Sequence, residues 1–522
     1  MQEDTVSTVQ VTATTNAPEA THIERGRLKE KIAKEVRDLM IAPTLTSDEV
    51  RRSYQHYLAV NEAHVLMLEK TGIIARPVAQ KILAATREMV AMGETPSFPI
   101  VPELEEMYFN LENHLIGQVG LDIGGQQHTA RSRNDLHATV DRMVTRDALL
   151  TLLTNLHALE KVLYELAELH TSSVFSGYTH LQPSEPITFA HYLSAVLAAL
   201  GRDARRLEGA WHDLNRNPLG GGSMGSTTWP IDRATTSALL GFEGEVENSL
   251  DAVASRDYLL EILNAMGLLA NNLARLATDM RLWSAPEYGY VEVGDSCAVC
   301  SSIMPQKKNP WTFESISSFC ARVKGNADAA WMTYKGVPYA FTMESMDVIG
   351  SFWPAVNDLN AVLTLMTVTM KSVTWHGSRA ERWAAQNFST VTELANTLVR
   401  VGGLSFREAH EVVAHAVAQV VNQDLGTAGI TAALVTQLTQ DLLHKSLVIT
   451  DEAVHHALDP VAIVNTKRVR GGPAPTEVTR QLSIIARGLT EQEAWVAQQR
   501  QRLSRANEAR VAQVTTLLAQ RV

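Results

Sequence analysis

The sequence is poor in cysteine: Cys297, Cys300 and Cys320 are the three in 522 residues. That is too few for a disulfide framework. Cys297 and Cys300 form a lone C-x-x-C. A structural zinc site takes four ligands and no second pair exists, so ordinary buried thiols are expected and no metal. Positive charge is also scarce, with 46 Lys and Arg against 57 Asp and Glu and a net charge of −11. General attraction to nucleic acid or to an anionic membrane is therefore not expected, and an anionic substrate needs a local cationic pocket. No apolar run reaches the ~18 residues that span a bilayer. The first twenty residues are polar and Thr-rich and lack an apolar signal-peptide segment. They read as a disordered tail, with a cytoplasmic location as the expectation.

What the chain has in quantity is helical periodicity. Leu and Ala recur at i, i+3 and i+4 over residues 146–172, 254–283 and 355–374, with Gly267 the single glycine and no proline in these stretches. Runs of this length suggest long bundle helices, and two are apolar on more than one stripe, as for helices buried on several sides or between subunits. Alternating strand patterns are scarce. The length predicts more than one core. The expected fold is all-α with three helical domains. These are residues 21–130, a central long-helix bundle at 131–379 forming a tetrameric core, and a C-terminal helical domain at 380–522. In the last, 404–421 is amphipathic, VRGGPAP at 469–475 is a turn, and a charged helix begins at about 490.

Four polar or glycine-rich islands interrupt the helices: GGQQHTARSRND (124–135), SGYTHLQPSEPITFAHY (176–192), NPLGGGSMGSTTWPIDR (217–233) and GDSCAVCSSIMPQKKNP (294–310). Each has an ordinary reading as a solvated loop. Their Arg, His, Lys, Ser, Thr and Asn content also suits a site that grips a polyanion, and loops concentrate function. In SSIMPQKKNP, a serine acts as a base only if its alkoxide is strongly stabilised, since each pKa unit costs ~1.4 kcal/mol. Loop amides and Lys307 are candidates for that stabilisation.

These strings resemble the argininosuccinate lyase branch of the fumarase/aspartase superfamily. SSIMPQKKNP at 301–310 is similar to its signature loop. HTARSRND, GYTHLQPSEPITFAHYL, NPLGGGSMGSTTWPIDR, VENSLDAVASRDYLLE and LSFREAH are similar to its other blocks, so that the resemblance runs from about Gly26 to Arg487. It implies that Ser301 removes the Cβ proton of an aspartyl group. It implies that Lys307 and Asn309 hold the carboxylate where charge builds, with Ser302 beside them. His180 would serve the general acid, oriented by Glu314. Ser132, Arg133, Asn134 and Thr179 would bind the fumaryl half. The resemblance also implies a homotetramer in which three subunits share each site, a small dicarboxylate substrate, and no cofactor. His128, His137 and His191 are read as structural.

The chain departs from the family in one stretch. Aligned on KG-x-P, residues 334–350 place Phe341, Met346 and Ile349 where the family supplies a tyrosine, a glutamine and a lysine to the amino-acid half of its substrate. Cys300 stands where the family has glycine before the serine. The expected reaction is thus fumarate release from an N-substituted L-aspartate with a different amine half, ethylenediamine disuccinate being one candidate. A local shift that brings in Glu344 or Asp347 would restore the plain argininosuccinate reading. A crystallin-like structural role is the alternative of a different class, and the complete set Ser301, Lys307, Asn309, His180 and Glu314 argues against it.

Overall fold

The computed structural model describes residues 27, 28 and 30–521; the expected N-terminal tail lies outside them. The described residues are mostly helix, with three two-stranded antiparallel sheets. Two units emerge. One comprises the described residues up to Val144 together with Arg216–Ala254 and Leu503 onward; the other comprises Thr145–Asn215 and Ser255–Arg502.

In the first unit the helices Ser47–Lys70, Arg76–Val90 and Met107–Val119 bury one another's apolar faces, including Leu58, Val65, Ile82 and Leu115. Thr46 caps the first by accepting the N–H of Glu49, the usual satisfaction of a free helix amide. The buried Tyr54 hydroxyl donates to the Met89 carbonyl at 2.8 Å, and the buried Glu62 carboxylate takes Arg510 Nε at 3.0 Å.

In the second unit four long helices, Phe189–Leu214, Asp257–Ser284, Trp311–Tyr334 and Met343–Ser372, form a bundle. Along Asp257–Ser284 the buried residues from Tyr258 to Ala270 fall on nearly every side, as the sequence pattern anticipates. The helix expected from 355 begins at Met343 instead. A Thr342/Ser345 capping box starts it, and Pro354 sits inside it. Proline removes one i→i−4 bond, which read from sequence looks like a helix start. A separate apolar core of Leu394, Leu398, Val412, Val435, Val454 and Leu458 joins the shorter helices that follow. Ser405 and Glu408 form a capping box at Phe406–Asn422. The last helix runs Pro475–Ala519, starting well before the expected 490. Among the described residues no helix is long and apolar enough to cross a membrane. The three-part domain division stays a proposal, and the separate 394–458 core is the observation in its favour.

Candidate active site

The first cluster belongs to the first unit. Ser132 opens the helix Arg133–Leu169, and Asp135 closes an S-x-x-D box by accepting the Ser132 N–H at 3.0 Å. The Asp135 side chain is fully buried, and its other oxygen accepts the N–H groups of Gly220 at 2.9 Å and Gly222 at 3.0 Å. Burial pushes its pKa up to about 6, and the three N–H donors and Arg131 oppose the rise. Asn134 Nδ2 donates to the Ser223 carbonyl at 3.1 Å. Arg133 is half-exposed and pairs with Glu106 at 2.8 Å and Glu105 at 3.4 Å. The motif blocks 128–135 and 217–233 thus meet through Asp135 and Asn134. Sequence reasoning assigned no role to Asp135; the S-x-x-D spacing was the available signal. His137 lies between Tyr57, at 2.7 Å, and Glu106, in keeping with a structural role.

The second unit holds the other two clusters. The strands Val174–Thr179 and Gln182–Thr188 pair as a hairpin with Thr179 opposite Gln182. Its turn is His180–Leu181, with φ of 52° and 60°. Two positive φ values make the primed turn that suits strand twist, yet glycine and asparagine are the usual occupants. Holding His and Leu there costs roughly 1–2 kcal/mol per residue, and such strain gathers at functional positions. The result is an exposed His180 at the hairpin tip, with Thr179 beside it. The alternating pattern was missed in sequence because prolines and a register shift between Ser176 and Tyr178 break it.

The signature loop is a second hairpin. Val299–Cys300 pairs with Lys308–Asn309, and residues 302–307 form the exposed tip. Ser301 Oγ accepts the N–H of Met304 at 3.1 Å and that of Ile303 at 3.4 Å. Two amides aimed at one hydroxyl oxygen favour its anionic form. Lys308 is tied back to Asp295 at 2.6 Å and Glu292 at 3.0 Å, whereas Lys307 makes no ion pair among the described residues. The Lys308 anchor was not anticipated. Cys297 and Cys320 are buried, but Cys300 is exposed, so the expectation of buried thiols fails for it: the residue lies on the edge of a two-stranded hairpin with little packed around it. Glu314 is exposed on the first turn of Trp311–Tyr334. Within one chain His180 and Glu314 form no hydrogen bond or ion pair among the described residues.

Phe341 is half-buried just before the helix Met343–Ser372; Met346 and Ile349 are half-buried one turn apart on it, while Glu344 and Asp347 are exposed. Among the described residues no group of three or more His, Cys, Asp or Glu is placed to hold a metal ion.

A family model described as "Lyase" matches residues 16–325, and one described as "Argininosuccinate lyase C-terminal" matches 388–465. The chain is 42% identical over 484 residues to "Argininosuccinate lyase 1" of Shouchella clausii, covering 92% of this chain and 97% of the relative. The chain belongs to the argininosuccinate lyase branch of the fumarase/aspartase superfamily. It is 36% identical to the argininosuccinate lyase of Methanosarcina acetivorans, over 87% of this chain and 91% of that one. Among solved structures, an EDDS lyase in complex with formate superposes with a TM-score of 0.84 at 28% identity, over 96% of this chain and 99% of that chain. A fumarate lyase from Mesorhizobium sp. BNC1, at 18% identity and a TM-score of 0.68 over 85% of this chain and 97% of that chain, shares the fold alone. As a member of this branch, the protein is a fumarate-forming carbon–nitrogen lyase.

Proposed function

We propose that the enzyme cleaves an N-substituted L-aspartate whose amine half differs from that of argininosuccinate, ethylenediamine disuccinate being a candidate. The carrying observation is the apolar trio. Phe341, Met346 and Ile349 stand where the family uses a hydroxyl, an amide and an ammonium, and the flanking carboxylates Glu344 and Asp347 face solvent. Placing the guanidino amino-acid end of argininosuccinate against three apolar groups leaves polar atoms unpaired, at ~1–3 kcal/mol each.

In the mechanism we infer, Ser301 takes the Cβ proton. The electron pair of that C–H bond becomes the new C=C bond, through a dianionic aci-carboxylate held by Lys307, Asn309 and Thr179. The Cα–N bond breaks, and a proton delivered from the His180 side, with Glu314 orienting the imidazole, lets the nitrogen leave as a neutral amine. An unperturbed histidine titrates near working pH, which suits it to that duty. Ser132, Arg133, Asn134 and Ser302 bind the carboxylates. The chemistry asks for no cofactor.

The pieces are spread over separate hairpins, and His180 and Glu314 do not bond within one chain. Both facts support a homotetramer whose subunits share each site. Exposed Leu268, Trp331, Met332 and Val368 on the bundle helices suit burial against second copies. We place the enzyme in the cytoplasm. The second reading is argininosuccinate cleavage, which the 42% identity over most of both chains favours. The test is to incubate purified enzyme with fumarate and a panel of amines and identify the adducts. A diamine adduct is expected. Exclusive capture of arginine would return the protein to the second reading.

A further inference from the structure

The glycine-rich block 217–233 holds a motif for which the mechanism above has no use. We propose that its exposed tip, residues 223–225, is a carboxylate-binding segment for the fumaryl half of the substrate, its amides serving as the donors. The inference rests on the N-substituted aspartate reading and adds a site to it.

Both ends of the loop are fixed. At one end Gly220 and Gly222 donate to the buried Asp135, and Arg233 donates to the carbonyls of Leu219 and Asn217, each at 2.9 Å. At the other end Ser226 N donates to the Gly221 carbonyl at 2.8 Å, and Ser226 Oγ donates to the Gly220 carbonyl at 3.1 Å. Gly222 has φ of +63°, and a Cβ there would lie 2.6 Å from the Ser226 carbonyl oxygen. Only glycine fits that turn.

The tip carries its carbonyls and amides differently. The Ser223 carbonyl accepts from Asn134 Nδ2 at 3.1 Å, and the Met224 carbonyl accepts from Ser249 Oγ at 2.9 Å. A trans peptide points its N–H opposite to its C=O. Tying back those two carbonyls therefore turns the amides of Met224 and Gly225 away from the loop's supports. The N–H groups of Ser223, Met224 and Gly225 have no hydrogen-bond partner among the described residues, and all three residues are exposed. Successive free amides form an anion-binding concavity. The loop carries no acidic side chain between Asn217 and Pro230. Its Asn134 support belongs to the block that the resemblance assigns to the fumaryl half, so the same helix start would present both the side chains and the loop.

Asp135 follows as the positioning residue. It touches no substrate and acts by holding the loop root and the Ser132 turn together.

The test is amide hydrogen exchange on the full-length enzyme with and without fumarate, and with inorganic phosphate at equal concentration. Fumarate should slow exchange severalfold in peptides covering 223–225, more than phosphate does. If fumarate slows the 301–310 loop or the His180 hairpin and leaves 223–225 unchanged, the loop proposal is wrong while the substrate reading stands. If it slows none of the three, the substrate reading falls too. Equal slowing by phosphate would mean an unselective anion site and overturn the assignment. A second arm compares Gly225→Pro, which deletes one amide, with Gly225→Ala, which keeps it; an added Cβ at 225 meets nothing within 4 Å. Among folded variants, inhibition by fumarate should be at least about tenfold weaker for proline than for alanine. Equal inhibition constants would overturn the proposal.

Discussion

Lys308 Nζ lies 2.6 Å from Asp295 Oδ1, and the adjacent Lys307 has no ion-pair partner among the described residues. The two lysines of the signature loop therefore have different duties. The carboxylates of Asp295 and Glu292 raise the Lys308 pKa, and Lys308 lowers theirs in return. These pairs are exposed, so solvent screening leaves them little weight in stability and their effect is to hold the Lys308 side chain in place.

The expected outcome is a split in kinetics. Lys307→Met should lower kcat by a factor of ~10²–10³, the usual loss when a group stabilising transition-state charge is removed. Lys308→Met should lower it by less than about tenfold. Steady-state rates on both variants decide; a larger loss for Lys308 would reverse the assignment.

Sharing of sites between subunits predicts complementation. Ser301→Ala and His180→Ala chains should each be nearly inactive, since loss of a proton-transfer group costs ~10²–10⁴-fold. Mixed and reassembled, they should regain a measurable fraction of wild-type activity. If the mixture stays as inactive as its parents, each site is built from one chain.

Glu160 gives a prediction about stability. Its side chain is buried, and neither carboxylate oxygen has a hydrogen-bond partner among the described residues. Burial, then the nearby Glu208 and Asp203, push its pKa up to about 8, with Arg205 opposing. The folded state thus holds a proton that the unfolded chain releases near pH 4.5. Stability is lost as pH rises between these values and the loss levels off above about 8. Glu160→Gln should therefore melt higher than wild type, by a margin that grows from pH 5 to 8 and then stays constant. At ~1.4 kcal/mol per tenfold in proton affinity the gain is a few kcal/mol at most. Melting curves across that range check it, and a margin independent of pH would contradict the account.

Long helices were readable where the apolar period is strong, as along the 28-residue Asp257–Ser284 and within Arg133–Leu169, whereas Trp311–Tyr334 was not singled out. The start of Met343–Ser372 was hidden by Pro354, which costs one bond but does not end a packed helix. The His180 hairpin was hidden because its turn uses neither glycine nor asparagine. At the candidate site the reacting residues were legible as motif letters. Their supports were not: the Asp135 bonds to Gly220 and Gly222 join positions 85 and 87 residues apart, which no local pattern encodes.

The identity of the amine half is tested by kcat/KM for ethylenediamine disuccinate and for argininosuccinate on the same preparation, followed by fumarate release. Loss of two or three polar contacts predicts a preference for the first compound by orders of magnitude. A clear preference for argininosuccinate would mean that Phe341, Met346 and Ile349 do not line the amine pocket, and would contradict the claim.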